Sequence, residues 1–562
     1  MLCIVKALNY NSSYDKKIHK YHHQQHKVLL KIKDRYKESD YQYKYIAELK
    51  GIYQDTLNLI DVDCVFIQKK QFSTNHYYPG DLIYCSIYWD VIPTQKHPAL
   101  FDSFNYWKLK GISAKIWMQE GDVIFLERID NYFYKIRKIQ SRCLELINNK
   151  NLSHTTKQII SALVLGNKRG LSKDISQQFS NLGLGHTLAL SGLHISLIYG
   201  IFAFLLSHIL KYKPRLQSLI LVLIIFFYAI LTGLSPSVLR ASLMFLFYSI
   251  SLALNRSTSS FNIVCISALT LLIYNSNLLY DIGFQLSYIA VFGILYFYQF
   301  FKKYLISKYV LVKMILGLAF ISISAQLSTG ILSAYYFHAF PPSFLWANIF
   351  VLPIIVFLLY LSVVYLFFVL IGIQFHFMDF LVDCSFDFLL RFLSLIEQYS
   401  FSKIDLYITI HELFYYYGLL LLICLVIFEK KYPFIRVIYC YLLIGLCIFY
   451  YFRYPSRREL FVNASKKSLL ISIIANNEQV LFTEDDISDS YLLGNYSLMH
   501  AITFSDTIFF RQEYQNEFCN IKEGFVNLFG ENIVVINNEK LNKNTCMDVS
   551  VLIQRSFRRD VP

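Results

Sequence analysis

From about residue 190 to residue 452 the chain alternates long apolar runs with short polar breaks. The runs fall at roughly 190–211, 216–233, 237–254, 260–275, 279–300, 310–337, 343–373, 413–429 and 433–452. Most are close to the ~20 residues that an α-helix needs to cross a bilayer's hydrocarbon core. In lipid the backbone must satisfy its own hydrogen bonds, and helices do so. Pro353 inside the longest run predicts a kink or a break there. One further run, MDFLVDCSFDFLLRFLSLIEQ at 378–398, is amphipathic. Its Asp379, Asp383, Asp387 and Arg391 recur every four residues and form one stripe on a helix. That stripe fits either a helix lying on the membrane surface or one lining a wet interior, with Asp387 and Arg391 paired.

The flanking regions read differently. Residues 1–27 are a polar tail, and residues 28–150 carry short runs such as VLLKIKDRY and DLIYCSIYW, with rough alternation and turn-like breaks. They predict a small β-barrel of the OB type. Residues 153–185 read as amphipathic helix and loop, and residues 453–562 as a small β-rich soluble domain. The expected class is a polytopic α-helical membrane protein with an N-terminal OB-like barrel and a β-rich C-terminal domain. Its membrane part, 151–452, is expected to hold about ten helices.

Charge sets the orientation. Lys211, Lys213 and Arg215 mark one loop, and Arg256, then Lys302, Lys303, Lys308 and Lys313, then Lys430, Lys431 and Arg436 mark alternate later ones. The loops between them, GLSPS, YNSNLLYD and HAFPPS, hold no Lys or Arg. The basic set is expected in the cytoplasm. Both soluble domains then lie outside, provided that 378–398 supplies one more crossing. The net charge of +14 adds little, because abundant Lys, Tyr, Ile and Asn suits an AT-rich genome. The eleven cysteines include no CxxC pair, and Cys64 and Cys85 could pair in an oxidising compartment. The start of the chain shows no signal peptide.

Several stretches carry a family resemblance. The run Gly183-Leu-Gly-His186-Thr-Leu-Ala189-Leu-Ser191-Gly192-Leu-His194 opens the first core helix. LVLGNKRGLS lies at 163–172, GLSPSVLRA at 233–241 and DIGFQLSYIAVFGI at 281–294. A block at 322–354 includes Gln326, Asn348 and Pro353, and HPALFDSFNYWKLKGI covers 97–112. In this order they resemble the ComEC family, the DNA-uptake channel of natural transformation. The resemblance implies passage of single-stranded DNA across the bacterial inner membrane, with no cofactor and no catalytic or metal site in this chain. It also implies membrane lipid, a periplasmic DNA receptor and a cytoplasmic helicase-type motor as partners. The chain departs from the family in two ways. Membrane helices usually precede the OB-type domain, so a truncated start is one expectation. Many members end in a metallo-β-lactamase-like domain, and the C-terminal region here has only His500 where that site needs clustered ligands.

Candidate path residues follow from the cost of ionisable and polar groups in a membrane. They are His186, Ser191, Gly192, His194, Arg240, Asp281, Gln285, Gln326, Asn348, Asp383, Asp387 and Arg391. Arg240 could meet phosphates or snorkel to the interface. Asp281 and Gln285 could orient Arg240 or join two helices. The two histidines could be structural, could touch the strand, or could hold a metal with further ligands. In the barrel, Trp89, Tyr106, Trp107, Lys108 and Lys110 either offer the mixture of rings and cations that binds single strands or are ordinary barrel core and solvated lysines, as alternation already explains many of the aromatics. Two other functions stay open: a secondary transporter of a small anion, and a membrane hydrolase centred on Ser191. No internal repeat supports the first, and no GxSxG elbow supports the second.

Overall fold

Alternation along the first strands closes a barrel. In a computed structural model, strands β1 (Gln25–Glu38), β2 (Gln42–Gln54), β3 (Thr56–Lys69), β4 (Asp81–Asp90), β5 (Ile112–Met118) and β6 (Ile124–Arg128) form one sheet in the order β1-β2-β3-β5-β4-β6. The structure describes most of residues 25–429, a few of 437–445, and the backbone of nine strands between 459 and 554. Strand β1 pairs with both β2 and β4, Val28 standing opposite Ile52 on one side and Cys85 on the other. The first five strands therefore close on themselves, with β3 and β5 parallel, and the fold is OB-like. Every second residue of β4 points inward: Asp81, Ile83, Cys85, Ile87 and Trp89. Trp89, Tyr45, Phe66, Leu30 and Ile52 are fully buried and fill the interior. Asp81 is buried too, and Arg128 on β6 reaches it with Nε and with Nη2 at 3.2 Å. This two-pronged ion pair pins the sixth strand to the barrel.

Cys64 and Cys85 are both free and buried. The Cys64 thiol donates to the Ala47 carbonyl at 3.3 Å. Burial raises the pKa of both, that of Cys85 to about 12, so neither forms a thiolate readily. A short helix, α1 (Ser103–Leu109), follows β4. Its Phe104 and Trp107 pack with Val65, Ile67, Ile92 and Ile112.

The barrel domain is shorter than its sequence suggests. Residues 132–148 form helix α2 (Tyr132–Asn148), whose Cys143 and Ile147 join the core of the helical part. Helices α3 (His154–Leu165) and α4 (Lys173–Asn181) follow. The apolar runs then appear as α5 (Gly192–Ile209), α6 (Pro214–Leu231), α7 (Pro236–Ala253), α8 (Ser260–Tyr274), α9 (Ile282–Lys302), α10 (Val310–Phe337) and α11 (Phe344–Ile371). The stripe-bearing run is α12 (His376–Tyr399). Among the described residues five helices are long and apolar enough to cross a membrane: α5, α7, α9, α10 and α11. Helix α11 runs through Pro353 without a break. Its buried face, from Ala347 to Val369, packs with α2, α3, α4 and α12 in one core.

Residues 405–562, with 97–100, form a second unit. It holds helix α13 (Ile410–Glu429) and two sheets. The four strands β7 (Glu459–Ala464), β8 (Leu469–Ala475), β9 (Glu478–Thr483) and β10 (Phe504–Phe509) lie side by side, only β9 and β10 being parallel. Five more strands between residues 514 and 554 make the second sheet. The tail before residue 25, His97, Arg256, most of the run 433–452 and His500 lie outside the described residues.

The buried thiols give a test of the barrel. In the purified protein neither Cys64 nor Cys85 is expected to react with a maleimide. Trp89→Ala removes a fully buried ring, at a cost of about 3–5 kcal/mol. Mass spectrometry of that variant is expected to find both thiols labelled.

Candidate functional site

The stretch between α4 and α5 is held by close approaches that only glycine allows. Gly183 has φ +75°. A Cβ there would lie 2.9 Å from Pro341 Cγ and 3.1 Å from Phe344 Cβ, so the loop sits directly on the start of α11. Gly166 caps α3 in the left-handed conformation, and a Cβ there would collide with the Leu190 side chain. Ser237 Oγ, in the first turn of α7, donates to the Leu190 carbonyl at 2.5 Å. Tyr228 OH, near the end of α6, donates to the Val164 carbonyl at 2.9 Å. The ends of α3 and α6 and the starts of α5 and α7 therefore meet at one place.

Ser191 is the N-cap of α5 and His194 is its third residue. The Ser191 backbone N–H donates to His194 Nδ1 at 3.2 Å, and the Ser191 hydroxyl lies 3.0 Å from the same nitrogen. Ser191 and His194 make a reciprocal capping box in which imidazole stands where Glu or Gln is usual. Because a backbone N–H can only donate, Nδ1 accepts and the proton sits on Nε2. That Nε2 is buried and has no partner, and the side chain is 1% exposed. His186 has the opposite arrangement: its Nδ1 lies 3.2 Å from the Gly183 carbonyl and donates to it. His186 and Lys168 stay open to solvent, while the protein around them lowers both pKa values by desolvation.

Arg240 lies on α7 and is 4% exposed. Its Nη2 donates to Ser287 Oγ on α9 at 2.7 Å, and its Nε is buried without a partner. Asp281 is close but otherwise engaged, its Oδ1 accepting the Phe284 N–H at 2.7 Å as the N-cap of α9. Gly283 lies between the two, so that a Cβ there would stand 3.1 Å from Asp281 Oδ1 and 3.8 Å from Arg240 Nη2. A 3-10 turn at Ser276–Tyr280 leads into α9. Helix α1 of the barrel rests against this turn.

Residues 163–430 match the family model described as Competence protein. This region is a competence-protein domain. Over 213 residues, 38% of the chain, the protein is 30% identical to ComE operon protein 3 of Bacillus subtilis (strain 168), 26% of which is covered. An uncharacterized protein of Aquifex aeolicus (strain VF5) is 27% identical over 263 residues, 42% of the chain and 59% of that protein. The chain thus spans about a quarter of one of these relatives and about three fifths of the other. No solved structure matches. The competence domain contains all five apolar helices, and the protein is a multi-pass membrane protein.

Within the competence domain the expected site residues separate. Ser191, Gly192 and His194 belong to the start of α5, and Gly192 faces Ala241 beside Arg240, at 3.7 Å for a built Cβ. Gln285 bonds Tyr336 OH at 2.8 Å and the Leu279 carbonyl at 2.9 Å, joining α9 to α10 rather than orienting Arg240. Gln326 is half-buried on α10, and Asn348 on α11 has a buried Oδ1 without a partner. The stripe on α12 also divides. Asp383 accepts from Thr156 Oγ1 at 2.6 Å and Ser153 N at 3.1 Å, capping α3. Asp387 and Arg391 pair with each other at 2.9 Å and are exposed. Ser287 and Gly283 were absent from the expected set. The only sequence signal for them is their place two and six residues beyond Asp281, four apart on one helix face.

In the barrel, Trp89 is fully buried and offers no face to a base. The other four cluster on or beside α1. Tyr106 and Trp107 stand 5.1 Å apart edge to face, and Lys110 Nζ lies 4.3 Å over the Tyr106 ring. Lys108 lies 5.5 Å from the Phe104 ring.

The capping box predicts unequal effects at His194. His194→Gln keeps an acceptor for the Ser191 N–H and is expected to melt within a few degrees of the parent. His194→Ala leaves that donor unsatisfied, at about 1–2 kcal/mol. Thermal unfolding in detergent measures both.

Proposed function

We propose that this protein conducts single-stranded DNA across the bacterial inner membrane during natural transformation. The observation that carries this reading is one juxtaposition. The basic and aromatic helix α1 rests on the turn that opens α9, and α9 meets the buried Arg240 one turn later. Rings and lysines on α1 suit a flexible strand, since every base has a face to stack and every nucleotide a phosphate. Arg240 then offers a guanidinium whose nearest carboxylate is committed to a helix start. Burying an unpaired cation costs several kcal/mol, roughly, and a passing phosphate offsets that cost. A small-anion transporter would also use Arg240, but it has no use for a stacking helix beside it.

The loop at 276–280 contains no Lys or Arg, so this reading puts the barrel outside the cell. The β-rich domain lies outside as well if α12 crosses. A DNA receptor would then deliver the strand to α1, and a cytoplasmic helicase-type motor would draw it inward. The histidines act in this account by shaping the mouth, and Ser191 with His194 fixes a helix end rather than cutting DNA.

Deleting the gene in a transformable host that holds no second copy is expected to stop labelled DNA from reaching the cytoplasm while surface binding persists. Normal uptake would overturn the proposal. In the same host Arg240→Gln, at parental protein levels, is expected to lower uptake at least about tenfold, the weight of one charge-assisted hydrogen bond, with Arg240→Lys intermediate. On the purified protein, replacing Lys108 and Lys110 by Ala is expected to weaken single-strand binding. It should also reduce the slope of log K against log salt by about 1.4, or 0.7 for each lost phosphate contact.

A further inference from the structure

Helix α12 lies lengthwise on α11, and side-chain bonds fix its direction. Near the start of α11, Phe344 touches Gly183. Two residues earlier, Asn181 Nδ2 donates to Glu397 of α12 at 2.8 Å, and Gln178 donates to Ser394 at 3.1 Å. Far along α11, Tyr365 OH donates to Asp379 at 2.7 Å. Phe344 and Tyr365 are separated by about 30 Å of helix. Over that distance α12 is traversed backwards, from Glu397 to Asp379. Helix α12 is therefore antiparallel to α11 along most of its length. As α11 is the most apolar of the candidate spans among the described residues, what runs beside it crosses the membrane with it.

The bonds of Asp383 then locate helices α2 and α3. Asp383 lies one turn, about 6 Å, from Asp379, and it holds Ser153 and Thr156 at the start of α3. The other end of α3 is tied to Tyr228 and Leu190, close to where α6 ends and α5 begins. Gln140, midway along α2, donates to the Leu165 carbonyl at 2.7 Å, so the second half of α2 descends alongside α3. The turn between α2 and α3 thus sits about 21 Å from the level of Phe344, counted along α12 from Glu397 to Asp383.

Helix α12 itself has three faces. Val382, Phe386, Leu389 and Leu393 are fully buried. Phe377, Phe380, Phe388 and Leu395 are exposed and apolar, as lipid requires. Asp387 and Arg391 form a third face that is exposed and charged, with side-chain exposures of 57% and 81%. Charges at that depth need water. Between α4 and α12 a cavity of about 480 Å³ is lined by Asp174, Gln177, Gln178, Asn181 and Glu397, which continues this face toward Phe344.

We infer that α2 and α3 form a re-entrant hairpin, and that the charged face of α12 lines a water-filled vestibule reaching from the Phe344 side to the depth of Asp383. Asp387 is paired with Arg391, and Asp174, Asp383 and Glu397 leave the vestibule net acidic, which does not suit a polyanion. The vestibule carries outer water past the middle of the slab. This inference stands independently of the DNA reading.

Single cysteines in an otherwise cysteine-free chain test it in intact cells, with a membrane-impermeant maleimide applied from outside. Asp387→Cys and, at the hairpin tip, Asn151→Cys are expected to label. Phe388→Cys and the native Cys384, on the lipid side of the same helix, are expected to stay unlabelled. Equal labelling at 387 and 388 would overturn the vestibule in favour of a helix lying in water. Labelling of Asn151→Cys only after the cytoplasmic side is opened would overturn the re-entrant hairpin, because α2 and α3 would then each cross. Binding of the same variants to a permeant maleimide in detergent checks that each thiol is present and folded.

Discussion

A helix that starts within or beside a hydrocarbon slab exposes N–H groups that water cannot satisfy, and here the chain supplies the missing acceptors itself. Asp281 takes the start of α9, Ser191 with His194 takes the start of α5, and Asp383 takes the start of α3. The first and last also place a negative charge at the positive end of a helix dipole. These caps decide where the other polar groups go. Among the described residues Arg240 has no carboxylate within ion-pair distance and leans on the Ser287 hydroxyl, while Asp281 beside it caps α9. With Asp383 held by α3, the hairpin is tied at depth to α12. With His194 Nδ1 held by Ser191, its Nε2 faces inward without an acceptor.

The Ser191–His194 pairing also bears on chemistry. A serine hydrolase needs a histidine free to take a proton from its serine. Here the histidine nitrogen beside the Ser191 hydroxyl already accepts the N–H of Ser191's own backbone. The pair is built to fix a helix end. The deepest polar groups of the bundle are thus arranged to hold structure or to wait for an anion, which fits a conduit better than a reaction centre.

Much of this was legible in the sequence, and the misses have physical causes. The run 310–337 matches α10 residue for residue, because nothing but apolar length was needed to find it. The barrel could be read from alternation, and the same alternation sets Trp89 beside Ile83, Cys85 and Ile87 on the core side of β4. Helix α2 was hidden because Tyr132, Phe133 and Tyr134 resemble a strand, although Ile136, Ile139, Cys143 and Ile147 already follow helical spacing. The capping box was hidden because histidine stands in the usual place of a glutamate. The four-residue spacing of the α12 stripe gave its face correctly. It could not show that Asp379 and Asp383 have partners while Asp387 and Arg391 do not leave each other. That division depends on Tyr365 and Thr156, far away in the chain.

The central claim is that a nucleic-acid strand passes the buried guanidinium of Arg240. Photocrosslinking during uptake tests it most directly. A photoreactive residue would be placed at Ser287, against Arg240, and as a control at Phe357, an exposed position on α11. With labelled DNA in transit, the account predicts a DNA adduct at 287 and none at 357. DNA that enters the cell without ever crosslinking at 287 would contradict it.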